Sequence, residues 1–468
     1  MPDEASPRTW AETVTAADAE LTRLVPSGSL YAVGGRVRDE IRSELDGVSR
    51  PAKDLDYIVT GIEGDELLAR LRAGGRADLV GASFAVVKWT VGTITADVAL
   101  PRRERSTGVG HRDFAVEAGP QVSLEDDLAR RDFRMNMVAR ALPARTIVDP
   151  YAGAADIAAR RIDILRDEAF AEDPLRLLRA AQFAARFAFA PSERAFAAMR
   201  AAAPLVATVS PERVRDELAK LLELAGRPSI GFELLRETGV LASVLPELVE
   251  GVGIEQNEYH AFDVYRHTIA VLDATPPGDL VLRLAALFHD IAKPRTKMGP
   301  HFYGHENVGE TLTRAALERL RFPNDVIERV AGLVKHHMYA ADPELAPGTI
   351  RRFVRRVGPE NLDRQFALRA ADVAGSGLPA RGRSNEAFEA RVREVVAARP
   401  PLAAKDLAVG GRDVIAAAVR AGRLPAESAG GPLVGEVLKK LLEIVLDRPE
   451  LNSREHLLAV LADEFPVR

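Results

Sequence analysis

Between Leu30 and about Asp149 the chain sets short β-branched runs (YIVT, FAVVKWTVG, TITADVAL, TIVDP) between glycines and charged turns. That texture predicts a mixed sheet with a few helices. From about Ala154 to Leu248 the strand pattern stops. Ala, Leu, Arg and Glu recur at helical spacing in EDPLRLLRAAQFAARFAF and PERVRDELAKLLELAG, punctuated at Pro191, Pro211, Pro228 and Pro246. A third region, about Gly251 to Leu378, is again helical and holds seven of the nine histidines. SGLPARGRSN then reads as a connector, and helical segments such as VGEVLKKLLEIVLDR run to the end. The expected class is α+β, with a sheet-bearing part followed by all-α parts. The expected division is 1–28, 29–150, 151–250, 251–378 and 379–468.

At 468 residues the chain exceeds a single core and should form two to four domains. The opening MPDEASPRTW is charged, and no apolar run approaches the roughly 18 to 20 residues of a membrane span, so neither signal peptide nor anchor is expected. With no cysteine, any metal must be held by Asp, Glu or His, which fits a cytoplasmic protein. The net charge of -5 argues against a general nucleic-acid coat but is compatible with a local basic groove.

The first candidate chemistry lies in SRPAKDLDYIV. Residues two apart on a strand share a face, so Asp54 and Asp56 project together while Leu55 turns into the core. Paired carboxylates raise each other's pKa unless a cation lies between them. An isolated pair also suits a solvated strand entry, but here the surroundings add to it. In YAVGGRVRDE, Gly34 and Gly35 precede a helix expected near Arg36, where bare backbone N–H groups can approach a triphosphate. Asp97, in TITADVAL, offers a third acid on a neighbouring strand. Three carboxylates around Mg2+ make a phosphoryl-transfer site.

A second candidate chemistry is the set His267, His289, Asp290 and Asp372, with His305, His336 and His337 as possible additions. Such nitrogen and oxygen ligands suit a divalent transition metal that activates water against a phosphoester.

Several motifs, in this order, resemble one family: YAVGGRVRD, KDLDYIV, DVALPRRERSTGVGHRDF, LEDDLARRDFRMN, VDPYAGAADI, AFAEDPLRLLRAAQFAARF and the tail KDLAVGGRDV with GGPLVGEVLKKLLEIV. The resemblance, over about Leu30 to Leu461, is to the class II tRNA nucleotidyltransferases (CCA-adding enzymes) and the related bacterial poly(A) polymerases. It implies a polymerase-beta-like head at 29–150, a helical neck and body at 151–250 that select the base and bind RNA, and a helical tail at 379–468. It implies catalysis at Asp54, Asp56 and Asp97 with Mg2+. Nucleotide contacts are implied at Gly34, Gly35, Arg38, Arg130, Arg131, Asp132, Asn136, Asp173, Arg176 and Arg179. The histidine region, 251–378, resembles the HD phosphohydrolases, whose ligand positions match His267, His289, Asp290 and Asp372. The partners implied are CTP, ATP and the tRNA 3' end, with no membrane.

EDPLR matches the family's EDxxR at Glu172, Asp173 and Arg176. Three apart on a helix, Asp173 and Arg176 are expected on one face. There a carboxylate accepts from the exocyclic amine of cytosine or adenine and a guanidinium donates to the adjacent ring nitrogen, a pattern uracil and guanine reverse. The chain departs from the family at Arg134 and Met137, where Thr and Ala are usual, and at Gln182, where arginine is common. PRRERSTGVGHRDF looks like the family's flexible loop or a solvated hairpin tip. Arg351, Arg352, Arg355 and Arg356 form a stripe for RNA phosphates or a solvated face, and KDLAVGGRDV reads as a turn between helices. The expected function is CCA addition, with CC-only, A-only or poly(A) addition as alternatives. An RNA-binding HD phosphohydrolase with an inactive head is a second alternative, against which the intact DxD and EDxxR argue.

Overall fold

The computed structural model describes residues 9–50, 54–80, 86–106, 114–258, 260–378 and 384–466. The chain divides into two compact units, Met1–Val249 and Glu250–Arg468.

The first unit is built on a seven-stranded sheet of β1 (Leu30–Val33), β2 (Asp56–Val59), β3 (Arg76–Val80), β4 (Val86–Val91), β5 (Ile94–Ala99), β8 (Ala139–Ala141) and β9 (Thr146–Val148). Its order is β3-β4-β5-β2-β1-β8-β9. Only the central pair β2 and β5 is parallel; every other neighbouring pair is antiparallel. That mixed sheet is the one expected. The parallel pair sets Asp56 opposite Asp97, and the Asp97 N–H donates to the Leu55 carbonyl at 2.9 Å, which carries the ladder back toward Asp54. A separate hairpin of β6 (Arg102–Ser106) and β7 (Phe114–Ala118) begins in PRRERSTGVGHRDF and continues to Ala118; residues 107–113 lie outside the described residues.

Helices α1 (Trp10–Leu24), α2 (Gly35–Asp46) and α3 (Gly64–Gly74) accompany the sheet. Thr9 and Glu12 close a reciprocal capping box at the start of α1. The junction of α1, α2 and β2 is polar. Arg36, fully buried, donates to Asp18 at 2.6 and 2.8 Å, to Glu40 at 2.7 Å and to the Tyr57 hydroxyl at 2.8 Å. Beyond the sheet come α4 (Leu124–Ala129), α5 (Gly153–Ala158), α6 (Ala169–Glu172), α7 (Leu175–Phe187), α8 (Glu193–Ala202), α9 (Pro211–Leu224) and α10 (Ser229–Glu237). Their close packing is visible at Gly231, where an added Cβ would sit 2.4 Å from Leu221 and 2.8 Å from the Ala181 carbonyl oxygen. A run of aromatic contacts, Phe133 to Phe183 to Phe187 to Phe189, joins α7 to the segment after α4.

Among the described residues, the regular elements of the second unit are helices and one two-stranded hairpin, Lys297–Met298 with His301–Phe302. The helix Pro347–Val357 carries the arginine stripe. Arg351 donates to the Leu446 and Asp447 carbonyls, Arg352 pairs with Glu443 and Asp447, and Arg355 pairs with Glu443. Three of the four arginines therefore make surface pairs with the helix Gly431–Asp447. Gly410 and Gly411 of KDLAVGGRDV open the helix Gly411–Arg420, as a turn between helices should.

Removing one member of a buried charged set leaves its partners desolvated. Arg36→Ala is expected to lower the stability of the first unit by about 3 kcal/mol, whereas Tyr57→Phe, which removes one hydrogen-bonding hydroxyl, should cost about 1 kcal/mol. Urea unfolding followed by near-UV circular dichroism tests both, and equal losses would contradict the ranking.

Candidate functional site

The turn from β1 into α2 depends on a glycine. Gly34 has φ of 76°, in the left-handed region, and a Cβ there would lie 3.1 Å from Asp56 Oδ2 and 3.4 Å from Arg131 Nη1. The bare backbone thus brings the α2 N-terminus beside the carboxylate. Asp54 is exposed just before β2, while Asp56 and Asp97 are half-buried. Burial pushes Asp56 up to about 6, against the attraction of Arg131 and with added repulsion from Asp54 and Asp97.

Asp54 and Asp56 line a groove of about 630 Å³ together with Arg38, Arg131, Asp173 and Arg176. Asp97 lines a smaller neighbouring cavity of about 250 Å³ that shares Asp56 with the first. The oxygens of the three acids do not all come within 4.8 Å of one another, so their gathering is looser than that of the histidine cluster described below. An all-oxygen anionic set of this kind suits Mg2+, which accepts carboxylate oxygens, retains waters and relieves the mutual repulsion.

LARRDFRMN supplies the wall of the groove. Buried Asp127 holds Arg130 at 2.7 Å and Arg131 at 3.1 Å. Asp132 accepts from Arg179 at 2.7 Å and from Asn136 Nδ2 at 2.8 Å, and the Asn136 side-chain oxygen accepts from Arg38 at 2.8 Å. Burial pushes Asp132 up, but Arg179 and these hydrogen bonds outweigh it and hold the carboxyl below its ordinary range. Arg38 is also stacked 4.4 Å over the Phe187 ring.

Asp173 and Arg176 both face this groove, but they do not share a helix. Asp173 is extended (φ -137°, ψ 95°) between α6 and α7, and Arg176 lies in the first turn of α7. The reason is Pro174, whose ring disfavours helical backbone in the residue before it. Asp173 accepts from the Leu175 N–H at 3.3 Å, and Arg176 donates to the Arg130 carbonyl at 2.9 Å. Burial raises the Asp173 pKa, with Arg176 opposing.

Sequence reasoning passed over Arg213, Glu217 and Lys220, which also line the groove from α9. Glu217 pairs with Lys220 at 2.8 Å and with Arg179 at 3.6 Å, and Arg213 lies 3.5 Å from Asp173. Their spacing of four and three in PERVRDELAKLL marks one helical face and was the available signal. Of the departures from the family pattern, Arg134 pairs with Asp156 at 2.8 Å and Met137 is buried core. Gln182, also buried, lines the groove.

The second unit gathers the other candidate site. His267 Nε2 lies 3.2 Å from His289 Nε2, 3.4 Å from Asp290 Oδ2 and 3.2 Å from Asp372 Oδ1. His305 and His337 stand on the other side of Asp290, 3.4 and 3.7 Å from its Oδ1. His336, the neighbour of His337, belongs to none of the candidate metal-ligating groups among the described residues; half-buried His260 joins one with His267 and Asp290. The Nδ1 atoms of His267, His289, His305 and His337 meet the carbonyls of Gly375, Ala286, Phe302 and Val334 at 2.7 to 3.1 Å. A carbonyl only accepts, so each Nδ1 carries a proton and each Nε2 is the nitrogen turned inward, where a metal can replace any second proton. Lys293 Nζ sits 2.6 Å from Asp290 Oδ2. Burial alone would lower His267, but its bonds to Asp290 and Asp372 raise it to about 9. Buried imidazoles and carboxylates with fixed tautomers fit a divalent metal.

Because Asp56 titrates near 6 before any cation binds, protons and Mg2+ compete for it. The apparent Mg2+ affinity of the head should be flat above about pH 7 and fall about tenfold per pH unit below pH 6. Calorimetric Mg2+ titrations at pH 5, 6 and 8 check this, and an affinity independent of pH would contradict it.

Three family models match in chain order. They are the poly A polymerase head domain over residues 30–163, the probable RNA and SrmB-binding site of polymerase A over 188–251, and the HD domain over 258–376. The multifunctional CCA protein of Cupriavidus metallidurans is 38% identical over 353 residues, 72% of this chain and 82% of that protein. That of Nitrosococcus oceani is 37% identical over 396 residues, 80% and 93% of the two chains. In fold the chain is similar to the crystal structure of a Bacillus stearothermophilus CCA-adding enzyme in complex with CTP, with a TM-score of 0.71, 24% identity and 98% of each chain covered. No helix among the described residues is long and apolar enough to cross a membrane. With a polymerase-type head, an HD domain and this identity over most of both chains, the protein belongs to the multifunctional CCA proteins, a family of tRNA nucleotidyltransferases.

Proposed function

We propose that this chain adds C and A residues from CTP and ATP to the 3' end of tRNA without a nucleic-acid template. The terminal hydroxyl of the tRNA attacks the α-phosphorus, a new P–O bond forms, and the bond to the β-phosphate breaks to release pyrophosphate. The observation that carries this reading is that one groove is lined by Asp54 and Asp56 and also by Asp173 and Arg176.

Asp54, Asp56 and Asp97 hold Mg2+, which when bound supplies charge for the developing phosphoryl oxygens. The α2 N-terminus behind Gly34 and Gly35 faces the triphosphate with N–H donors. Arg130 and Arg131, oriented by Asp127, add guanidinium donors suited to phosphate oxygens. Arg38, Asn136, Asp132 and Arg179 brace this wall. Asp173 accepts from the exocyclic amine of cytosine or adenine while Arg176 donates to the ring nitrogen beside it. In this reading the head spans 29–150, the neck and body 151–250, the HD region 251–378 and the tail 379–468. His267, His289, Asp290 and Asp372 hold a divalent transition metal for phosphoester hydrolysis, a second activity. The tRNA substrate places the work in the cytoplasm.

Gel assays with radiolabelled tRNA transcripts ending at the discriminator base, at C and at CC test the proposal. Each is offered CTP, ATP or both, with Mg2+. C, C and A on the shortest transcript are expected. Stopping after CC, adding one A only or extending a long A tract would replace the proposal with a specialised relative, and no addition at all would reject it. Asp56→Ala should cut transfer on the order of a thousandfold, since it removes several kcal/mol of charge stabilisation. Asp173→Ala should raise incorporation of U or G relative to C by about ten- to a hundredfold, the discrimination a paired base contact provides. Retention of wild-type base choice would remove Asp173 from that role. His289→Ala should leave nucleotide addition intact while abolishing hydrolysis of phosphoesters.

A further inference from the structure

The cations that line the groove of the first unit are for the most part committed within the chain. Asp39 holds Arg38, Asp127 holds Arg130 and Arg131, Asp132 holds Arg179, and Glu217 holds Lys220. Arg186, in the last turn of α7, lines the same groove but differs from them. Among the described residues its guanidinium has neither a hydrogen bond nor an ion pair, and it rests 5.1 Å from the centroid of the Phe187 ring. Arg38 lies over that ring too, at 4.4 Å. Burial and the repulsion of Arg38 lower the Arg186 pKa, and Asp39 opposes them only in part. A half-buried, unmatched charge beside a like charge is unfavourable unless an anion joins it. One turn earlier on the same face of α7 stands Gln182, 2% exposed, which also lines the groove and whose amide has no hydrogen-bond partner among the described residues.

Contacts followed outward from Asp56 lead to Gly34, then from Gly35 to the Arg38 guanidinium, and over Phe187 to Arg186. In the other direction, Arg176 lies ten residues before Arg186 on α7, about 15 Å along the helix axis, a span comparable with an extended nucleoside triphosphate from base edge to last phosphate. We propose that Arg186 and Gln182 bind the terminal phosphate of the incoming nucleotide and so select a triphosphate over a diphosphate. The proposal rests on the nucleotide-transfer reading of the groove and adds to it the residues that read the far end of the phosphate chain. A guanidinium and a primary amide offer several N–H donors, which suit a group with three free oxygens and more than one negative charge. An RNA backbone phosphate has two free oxygens and a single charge, and matches them less well. Neither side chain touches the reacting phosphorus. Their effect is on nucleotide binding and, after transfer, on the hold over pyrophosphate, whose outer phosphate is the same group.

Calorimetric titration of the full chain with CTP and with CDP tests this, in Mg2+ and without tRNA so that no transfer occurs. The unaltered chain is expected to bind CTP at least about tenfold more tightly than CDP. Arg186→Gln should weaken CTP by about ten- to a hundredfold and leave CDP unchanged, Gln182→Met should weaken CTP about threefold or more, and Arg186→Lys should recover part of the arginine's effect. In tRNA extension by Arg186→Gln, the KM for CTP should rise while the KM for tRNA and the choice of C over U stay as they were. Equal weakening of CTP and CDP, or no change in either, would overturn the proposal. A raised KM for tRNA with CTP binding intact would assign Arg186 to an RNA phosphate instead. An unaltered chain that neither binds CTP nor transfers C would reject the nucleotide-transfer reading itself, whereas one that does both while Arg186→Gln keeps the full preference for CTP would reject this inference alone. Should Arg186→Gln lose its far-UV circular dichroism, the ratio of CTP to CDP affinity in Gln182→Met decides.

Discussion

Asp132 is the residue on which the first unit's groove turns. This one partly buried carboxylate receives Arg179 from α7 and Asn136 from the segment after α4, and Asn136 in turn receives Arg38 from α2. Helix α2, which follows strand β1, and helix α7, which carries Arg176, are thereby joined through charge-assisted hydrogen bonds in a partly buried site, where such bonds are strong and an unmatched member costly. Glu217 extends the same chain to α9 through Arg179 and Lys220. Positioning in phosphoryl transfer depends on sub-ångström placement, and a connected set of this kind provides rigidity that a loop-borne site lacks.

The two candidate centres answer the same electrostatic problem with different ligands. In the head, Asp54, Asp56 and Asp97 are only loosely gathered and partly open to solvent, which suits an ion that keeps waters and substrate oxygens in its coordination sphere. In the HD region, imidazoles are buried, their tautomers are set by backbone carbonyls, and carboxylates stand between them. Such a site suits an ion that accepts nitrogen and sheds more of its water. Arginine supplies the remaining charge balance in both units. In the head it lines the groove, and on the helix Pro347–Val357 it is consumed by Glu443 and Asp447.

Much of this was legible in residue order. The β-branched runs announced the mixed sheet, the glycine pair announced the turn into α2, and the DxD and HD motifs named acids that the fold brings to a groove and a cluster. Even the error at Asp173 had a visible cause, since the proline after it bars the helical backbone assumed for the pair. The α9 face of Arg213, Glu217 and Lys220 was likewise present as periodicity, although nothing in the sequence said what that face meets.

Local chemistry determined which side chains are able to bind metal or phosphate, because ligand type, turn geometry and periodicity are properties of neighbours in the chain. Tertiary structure alone decided which of them meet. Asp56 and Asp97, 41 residues apart, are paired by the register of a parallel ladder that no short window contains. His337 faces Asp290 and adjacent His336 does not, because the end of a helix sets their directions. The arginines of the helix Pro347–Val357 have the spacing of a phosphate-binding stripe, yet acids almost a hundred residues away occupy them. Coulomb attraction acts on whatever charge the fold brings near, and proximity is not written in the order of residues.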